Sequence, residues 1–187
     1  SVEIGRLGKL IVATSAEEET KLKSIGSLAA ANGVDDLQWL SQAEMSKLEP
    51  EVRCTRVLYS PSTGIVDVTG LMLALQAEAE THEVSFAFNT QFSHARKENG
   101  NFIVSASGAN GETAALTCRH IINCAGHGAH EVAMSVQGYA VAKLPPRYFA
   151  KGSYCSASGR TPFKHLIYPV PVSGALGIHA TLDLTGA

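Results

Sequence analysis

The apolar and polar positions of this chain fall into blocks of different period. Residues 6–14, Arg-Leu-Gly-Lys-Leu-Ile-Val-Ala-Thr, form a short apolar run and predict a strand. Ser15 and Glu18 follow in the spacing of a capping box, and Glu17, Glu18 and Glu19 fill the first helical turn. Leu22, Ile25, Leu28 and Ala29 share one face of that helix, and Asn32-Gly33 ends it. A short apolar piece lies at 37–40. A second capping pattern, Ser41 with Glu44, opens a helix that must stop before Pro50. Residues 53–59 predict a strand, 60–64 (Ser-Pro-Ser-Thr-Gly) a turn and 65–66 a strand end. Asp67 then stands as N-cap to a helix whose apolar face is Val68, Leu71, Met72, Leu75 and Ala79.

After that helix the period changes from helical to extended. Residues 84–92, 93–97, 102–107 and 114–123 read as strands, joined by Glu98-Asn-Gly-Asn and Gly108-Ala-Asn-Gly turns. A short helix is predicted at 129–137, and strands return at 148–156, 165–170 and 176–184. Long helices mixed with hairpins predict an α+β, or mixed α/β, fold. Its expected core is an antiparallel-rich mixed sheet with flanking helices, rather than a doubly wound parallel sheet.

Composition narrows the function classes. A chain of 187 residues, 45% hydrophobic and 17% charged, can bury a sizeable core in one large domain or one and a half small ones. A net charge of −2 and the absence of a basic run interleaved with aromatics argue against a nucleic-acid surface. No apolar run approaches the ~18 residues of a membrane span. No secretory pattern opens the sequence, so a cytoplasmic location is expected. Cys54, Cys118, Cys124 and Cys155 contain no C-x-x-C pair. Cys118 and Cys124 would share a strand face but sit roughly 20 Å apart, too far for a disulfide. The expectation is buried free thiols in a reducing compartment.

Several positions carry candidate chemistry. The run from Cys118 to Gly126 predicts a strand that stops at a small-residue turn and opens a helix. Ala125 and Gly126 there allow close backbone approach, and the turn aims amide N–H groups outward, a geometry that suits phosphate. The same pattern also serves plain packing in many α/β proteins. His127 and His130 are three apart at a helix start, but no further ligand lies near them in sequence, so no metal site is predicted. Ser62 and Thr63, beside Gly64, either line a substrate entrance or cap the following helix.

Six segments recur in the order of one family. They are Gly8-Lys-Leu-Ile-Val-Ala-Thr14, Tyr59-Ser-Pro-Ser-Thr-Gly-Ile-Val-Asp67, Ile122-Asn-Cys-Ala-Gly126, Lys151-Gly-Ser-Tyr154, His165-Leu-Ile-Tyr-Pro-Val-Pro171 and Leu176-Gly-Ile-His-Ala-Thr-Leu-Asp183. Through them the chain resembles the FAD-dependent oxidoreductases of the D-amino-acid-oxidase-like superfamily, above all the L-2-hydroxyglutarate dehydrogenase/oxidase branch. The likeness runs over nearly the whole chain. The sequence carries no GxGxxG, the loop that holds the FAD pyrophosphate in that family. The resemblance therefore implies a fragment lacking the N-terminal GxGxxG unit and the C-terminal flavin-binding part. Residues 1–112 would be the first part of the substrate domain, 113–138 a remnant of the FAD-binding domain, and 139–187 the second part of the substrate domain.

The implied function is oxidation of a small 2-hydroxy acid, L-2-hydroxyglutarate-like, by hydride transfer to flavin. An amino acid or secondary amine is the other substrate class. The alternative is a small-molecule-binding or interaction module without redox activity. FAD is implied as the cofactor of the complete enzyme, with none expected to be retained by this chain. By the resemblance Lys151 would hold a substrate carboxylate or the charge of reduced flavin; on its own chemistry an ordinary surface lysine at a strand start is the favoured reading. Tyr154, three residues on, falls on the opposite strand face unless a bulge at Gly152 re-aims it. Tyr168 would offer its O–H to a carboxylate, or serve as a core aromatic. His179 and Thr181 share a strand face and would orient a hydroxy acid, and His179 is also spaced to pair with Asp183. Lys151, Tyr168 and His179 are thus the candidate catalytic residues. Ser62, Thr63, Tyr154 and Thr181 are the candidate substrate-binding residues, and Ala125 and Gly126 the candidate cofactor-binding ones. The strand expected at 117–124 would lack flavin-domain neighbours, and self-association through its exposed edge is expected.

Overall fold

Along the first part of the chain a two-residue strand outside the predicted pattern, β1 (Ile4–Gly5), comes first, and the predicted elements then form in order: β2 (Lys9–Ala13), α1 (Ala16–Ala31), β3 (Gln38–Leu40), α2 (Gln42–Leu48), β4 (Arg56–Ser60), β5 (Ile65–Val66) and α3 (Val68–Thr81). A three-stranded meander follows, β6 (Thr90–Glu98), β7 (Asn101–Gly108) and β8 (Thr113–Cys118), then a 3₁₀ turn at Gly126–Gly128, α4 (Ala129–Met134) and finally β9 (Leu166–Pro169). These elements come from a computed structural model that describes residues 1–171 and 177–186; Leu176, the first residue of the last predicted strand, lies outside them. The elements divide into two units, one of Ser1–Glu83 with Cys155–Ala187 and one of Val84–Tyr154. The fold is mixed α/β, with antiparallel and mixed sheets, as the pattern predicts.

The first unit is built on a four-stranded sheet in the order β3-β4-β2-β9, where β2 runs antiparallel to β4 and parallel to β9. Alternation along β2 sends successive side chains to opposite faces. Leu10 and Val12 pack with Val57, Ile167 and Met45 of α2 on one face. Ala13, Leu58 and Val170 pack with Leu22 of α1 on the other. Residues 10–13 of this strand are all apolar because both faces are covered there.

The two helices that cover the sheet begin at the predicted caps. At α2 the box is reciprocal: Ser41 Oγ accepts from the Glu44 N–H, and the Glu44 carboxylate accepts from the Ser41 N–H. At α1 it is displaced by one residue. Ser15 Oγ accepts from the Glu18 N–H, but the Glu18 carboxylate takes the N–H and O–H of Thr14, at 2.7 and 2.8 Å. The Thr14 N–H, then its hydroxyl, hold the Glu18 carboxyl below its ordinary range, and the Ser41 hydroxyl and N–H do the same for Glu44. A carboxylate whose folded pKa is depressed contributes stability above its unfolded pKa, and that stability is lost as pH falls through the folded value. Thr14→Val is therefore expected to lower the melting temperature most at neutral pH. The gap from wild type should close on acidification below the ordinary carboxylate range. A melting series in pH checks this, and a gap constant down to strong acid would exclude it.

Four predicted segments come out differently. Residues 84–89 are not a strand. Glu83 and Asn89 take left-handed backbone, φ 63° and 54°, which breaks the extended run at both ends. The two strands expected at 84–92 and 93–97 merge into β6, with a bulge between Phe92 and His94. The strand expected to reach 123 stops at Cys118, because no strand among the described residues runs beside the chain after it; Ile122 is 86% exposed. Cys118 and Cys124 therefore do not share a strand. Cys124 and Cys155 are exposed rather than buried, and burial pushes the half-buried Cys54 thiol upward.

Residues 148–156 form no strand either, and Tyr154 is 94% exposed. The described part of 176–184 joins the sheet by one bridge, Ile167 with Ala180, closed by two 3.0 Å hydrogen bonds. In α3 the predicted helix forms with Asp67 at the cap position, but Asp67 makes no side-chain cap bond, and the apolar face is open, with Met72 64% exposed. β8 pairs with β7 on one side only. No helix among the described residues is long and apolar enough to cross a membrane.

Candidate functional site

Gly8 ties three parts of the first unit together. Its N–H donates to the Thr63 carbonyl at 2.9 Å, and its carbonyl accepts from the Leu166 N–H at 3.1 Å. It takes φ +73°, and a Cβ there would lie 2.7 Å from the Tyr59 ring, so only glycine fits without strain. The next residue, Lys9, faces Ser60 across β2 and β4, and Leu166 across β2 and β9. Ser60 is buried, with its Oγ 2.8 Å from Thr63 Oγ1.

On the other side, Tyr168 registers with Ile11, two residues along the same face as Lys9. The Tyr168 ring lies flat against the His179 imidazole, with centroids 3.9 Å apart and planes 5° from parallel. The Ile167–Ala180 bridge places His179 there. Lys9 Nζ stands 5.6 Å from the Tyr168 ring centre. Three predicted residues, Thr63, Tyr168 and His179, thus gather around one end of one sheet face, beyond the part that α1 covers. Ser62 is exposed in the same turn as Thr63. Thr181 is exposed and is not on a strand, so the predicted pairing of His179 and Thr181 on one strand face does not hold.

Lys151, Tyr154, Ala125 and Gly126 belong to the second unit. Lys151 and Tyr154 sit in exposed irregular chain, so the alternation expected to separate their directions has no strand to act through. The turn at Ala125-Gly126 is held by Asn123. Its Nδ2 donates to the Ala129 carbonyl at 2.7 Å, and its Oδ1 accepts from the Ala125 N–H at 3.2 Å. Beside the turn lies a cleft of about 480 Å³ lined by Gly126, His130, Tyr139, Arg147 and Tyr148. Arg147 pairs with Glu131, holding that carboxyl below its ordinary range, and stands 5.0 Å from the Phe149 ring centre. This turn by itself does not fit a flavin. The Ala125 N–H is already used by Asn123, α4 has only six residues, and no glycine-rich loop stands beside it to cradle a pyrophosphate. No group of three His, Cys, Asp or Glu among the described residues is placed to hold a metal.

Sequence reasoning missed two residues. Glu49 is fully buried. Its Oε1 accepts from the Lys164 and His165 N–H groups, both at 2.8 Å, and lies 2.6 Å from His165 Nδ1. The signal was its spacing from Met45: two residues four apart on one face of α2, the first apolar and buried. Lys9 was the other, a cation inside an apolar strand.

The sequence pattern of the FAD dependent oxidoreductase family matches residues 1–187. The chain belongs to that family. It is 32% identical over 210 aligned residues to the mitochondrial L-2-hydroxyglutarate dehydrogenase of Arabidopsis thaliana, covering 97% of this chain and 43% of the relative. It is 26% identical to the L-2-hydroxyglutarate dehydrogenase of Escherichia coli K12, covering 96% and 42%. The chain thus spans less than half the length of these family members. Two solved structures share the fold. L-alpha-glycerophosphate oxidase from Mycoplasma pneumoniae with FAD bound has a TM-score of 0.76 at 23% identity, over 100% of this chain and 49% of that one. L-proline dehydrogenase from P. horikoshii has a TM-score of 0.71 at 12% identity, over 99% and 48%.

Proposed function

We propose that this chain forms the substrate side of an FAD-dependent oxidoreductase that oxidises a small 2-hydroxy acid of the L-2-hydroxyglutarate type. Family membership and the activity named for two relatives support the reading. The observation that carries it is the placement of the Tyr168–His179 stack and the Ser60–Thr63 hydroxyl pair around one end of one sheet face. The family's flavin, when bound, supplies the hydride acceptor.

The residues of this chain then orient the acid. The Tyr168 hydroxyl donates to a substrate oxygen, with Thr63 and Ser62 at the rim of the site and Thr181 close in sequence to His179. A hydroxyl that becomes a carbonyl also loses its proton, and a neutral His179 imidazole is suited to accept it.

The test is a chimera in which this chain replaces the matching segment of the Arabidopsis enzyme. It is expected to hold flavin, by its visible absorbance band, while the 187-residue chain alone does not. The chimera should oxidise L-2-hydroxyglutarate, and Tyr168→Phe should lower kcat/KM on the order of ten- to a hundredfold. A flavin-loaded chimera that oxidises glycerol 3-phosphate or proline, but not hydroxyglutarate, would overturn the reading.

A further inference from the structure

We propose that Lys9 is a carboxylate-binding residue of this site and makes it selective for an acidic ligand. The inference rests on the reading above for the side of the sheet that faces substrate, and adds the group that recognises charge. Lys9 is half-buried on β2, between β4 and β9. Among the described residues no carboxylate pairs with its ammonium. Its one described partner is the Tyr168 ring face, at 5.6 Å.

A lysine serving only solubility keeps its head in water, whereas this one is held beside an aromatic stack by a fixed backbone. Gly8 anchors that backbone on both sides, to Thr63 and to Leu166, so Lys9 cannot shift without moving the polar turn or the start of β9. Next to it, across the strand pair, is the Ser60–Thr63 hydroxyl pair. A cation, an aromatic face and two hydroxyls at one strand end make a setting for a carboxylate: the ammonium neutralises it, and a hydroxyl donates to its second oxygen. The ligand class is a small carboxylic acid with at least one carboxylate remote from the Tyr168 hydroxyl, which favours dicarboxylates over monocarboxylates.

Glutarate is the probe, with glutaramide as its uncharged isostere and butyrate as its monocarboxylate counterpart. Aromatic proton–carbon shifts of Tyr168 and His179 in the 187-residue chain report the titration. Glutarate is expected to move both rings saturably, glutaramide not at all, and butyrate more weakly. Lys9→Met should raise the glutarate Kd on the order of tenfold and abolish the preference over butyrate, while Lys9→Arg keeps both. Added salt should weaken binding to wild type more than to Lys9→Met. If glutarate binds and Tyr168→Phe weakens it but Lys9→Met does not, the assignment of Lys9 is wrong and the substrate face stands. If glutarate leaves both rings unmoved in wild type, the assignment and the substrate face fail together. Unchanged melting of Lys9→Met and Lys9→Arg is expected, since no ion pair is broken.

Discussion

Replacing Glu49 with alanine is expected to destabilise the chain by about 3–5 kcal/mol, since three donors around a fully buried oxygen lose their acceptor. At this chain length that is a fall in melting temperature of about 6–20 °C. The side chain is fully buried, and a single oxygen serves the Lys164 N–H, the His165 N–H and His165 Nδ1. Oε1 already accepts from two backbone N–H groups, and His165 Nδ1 is placed to donate to it as a third. Alanine leaves these donors facing a cavity. The loss extends beyond the pair, because residues 164–165 lead into β9, and the His165 ring also packs edge-on to Tyr59, 5.7 Å between centres.

Glu49→Gln keeps an acceptor of the same shape without the charge, and is expected to lose less than half as much. Denaturant melts of the two variants side by side make the check. A Glu49→Ala variant within about 1 kcal/mol of wild type would mean that water replaces the carboxylate, a minor loss on the scale of ordinary substitutions.

Gly8→Ala is expected to cost about 2–4 kcal/mol, through backbone and sterics together. A non-glycine residue at φ +73° carries about 1–3 kcal/mol of strain. The new Cβ also meets the Tyr59 ring at 2.7 Å, and relieving such overpacking typically costs about 1–3 kcal/mol. The two causes separate in a cycle with Tyr59→Leu. The shorter side chain should recover the steric part in the Gly8→Ala background and leave the backbone part. The variant should also weaken the grip on Thr63 and Leu166, and so disturb the Tyr168–His179 shifts that report on the site. An additive cycle would show that the ring is not the obstacle.

The site was partly legible before the fold. Thr63, Tyr168 and His179 were visible as polar or aromatic residues in rigid, turn-rich segments, and the structure gathers them around one sheet end. Their mutual geometry was not legible, because it depends on β2 pairing parallel with β9 across more than a hundred and fifty residues of sequence, Lys9 with Leu166. Lys9 and Glu49 were missed for a related reason. Each is a charge placed in an apolar pattern, and the pattern alone does not say what stands opposite.

The end of the strand expected at 114–123, beyond Cys118, and the strand expected at 148–156 mark the opposite error. Their apolar residues suggest extended chain, yet no neighbouring strand among the described residues offers backbone partners, and extended chain without a partner gains nothing from its propensity.

By itself the sequence determined what is local. Capping residues start α1 and α2, asparagine–glycine turns join β6, β7 and β8, and the apolar run at 10–13, covered on both faces, makes the central strand. It also carried the family, because several short segments kept their order and spacing. The tertiary structure decided everything set by pairing at a distance: which strands found partners, that Lys9 meets the Tyr168 ring, and which glutamate was sealed inside to hold the lead-in to β9. Local order follows from backbone sterics and hydrogen bonds within a few residues. A site follows from register between segments far apart in the chain, and burial of a sheet face sets that register, because a one-residue slip would turn every side chain to the other face.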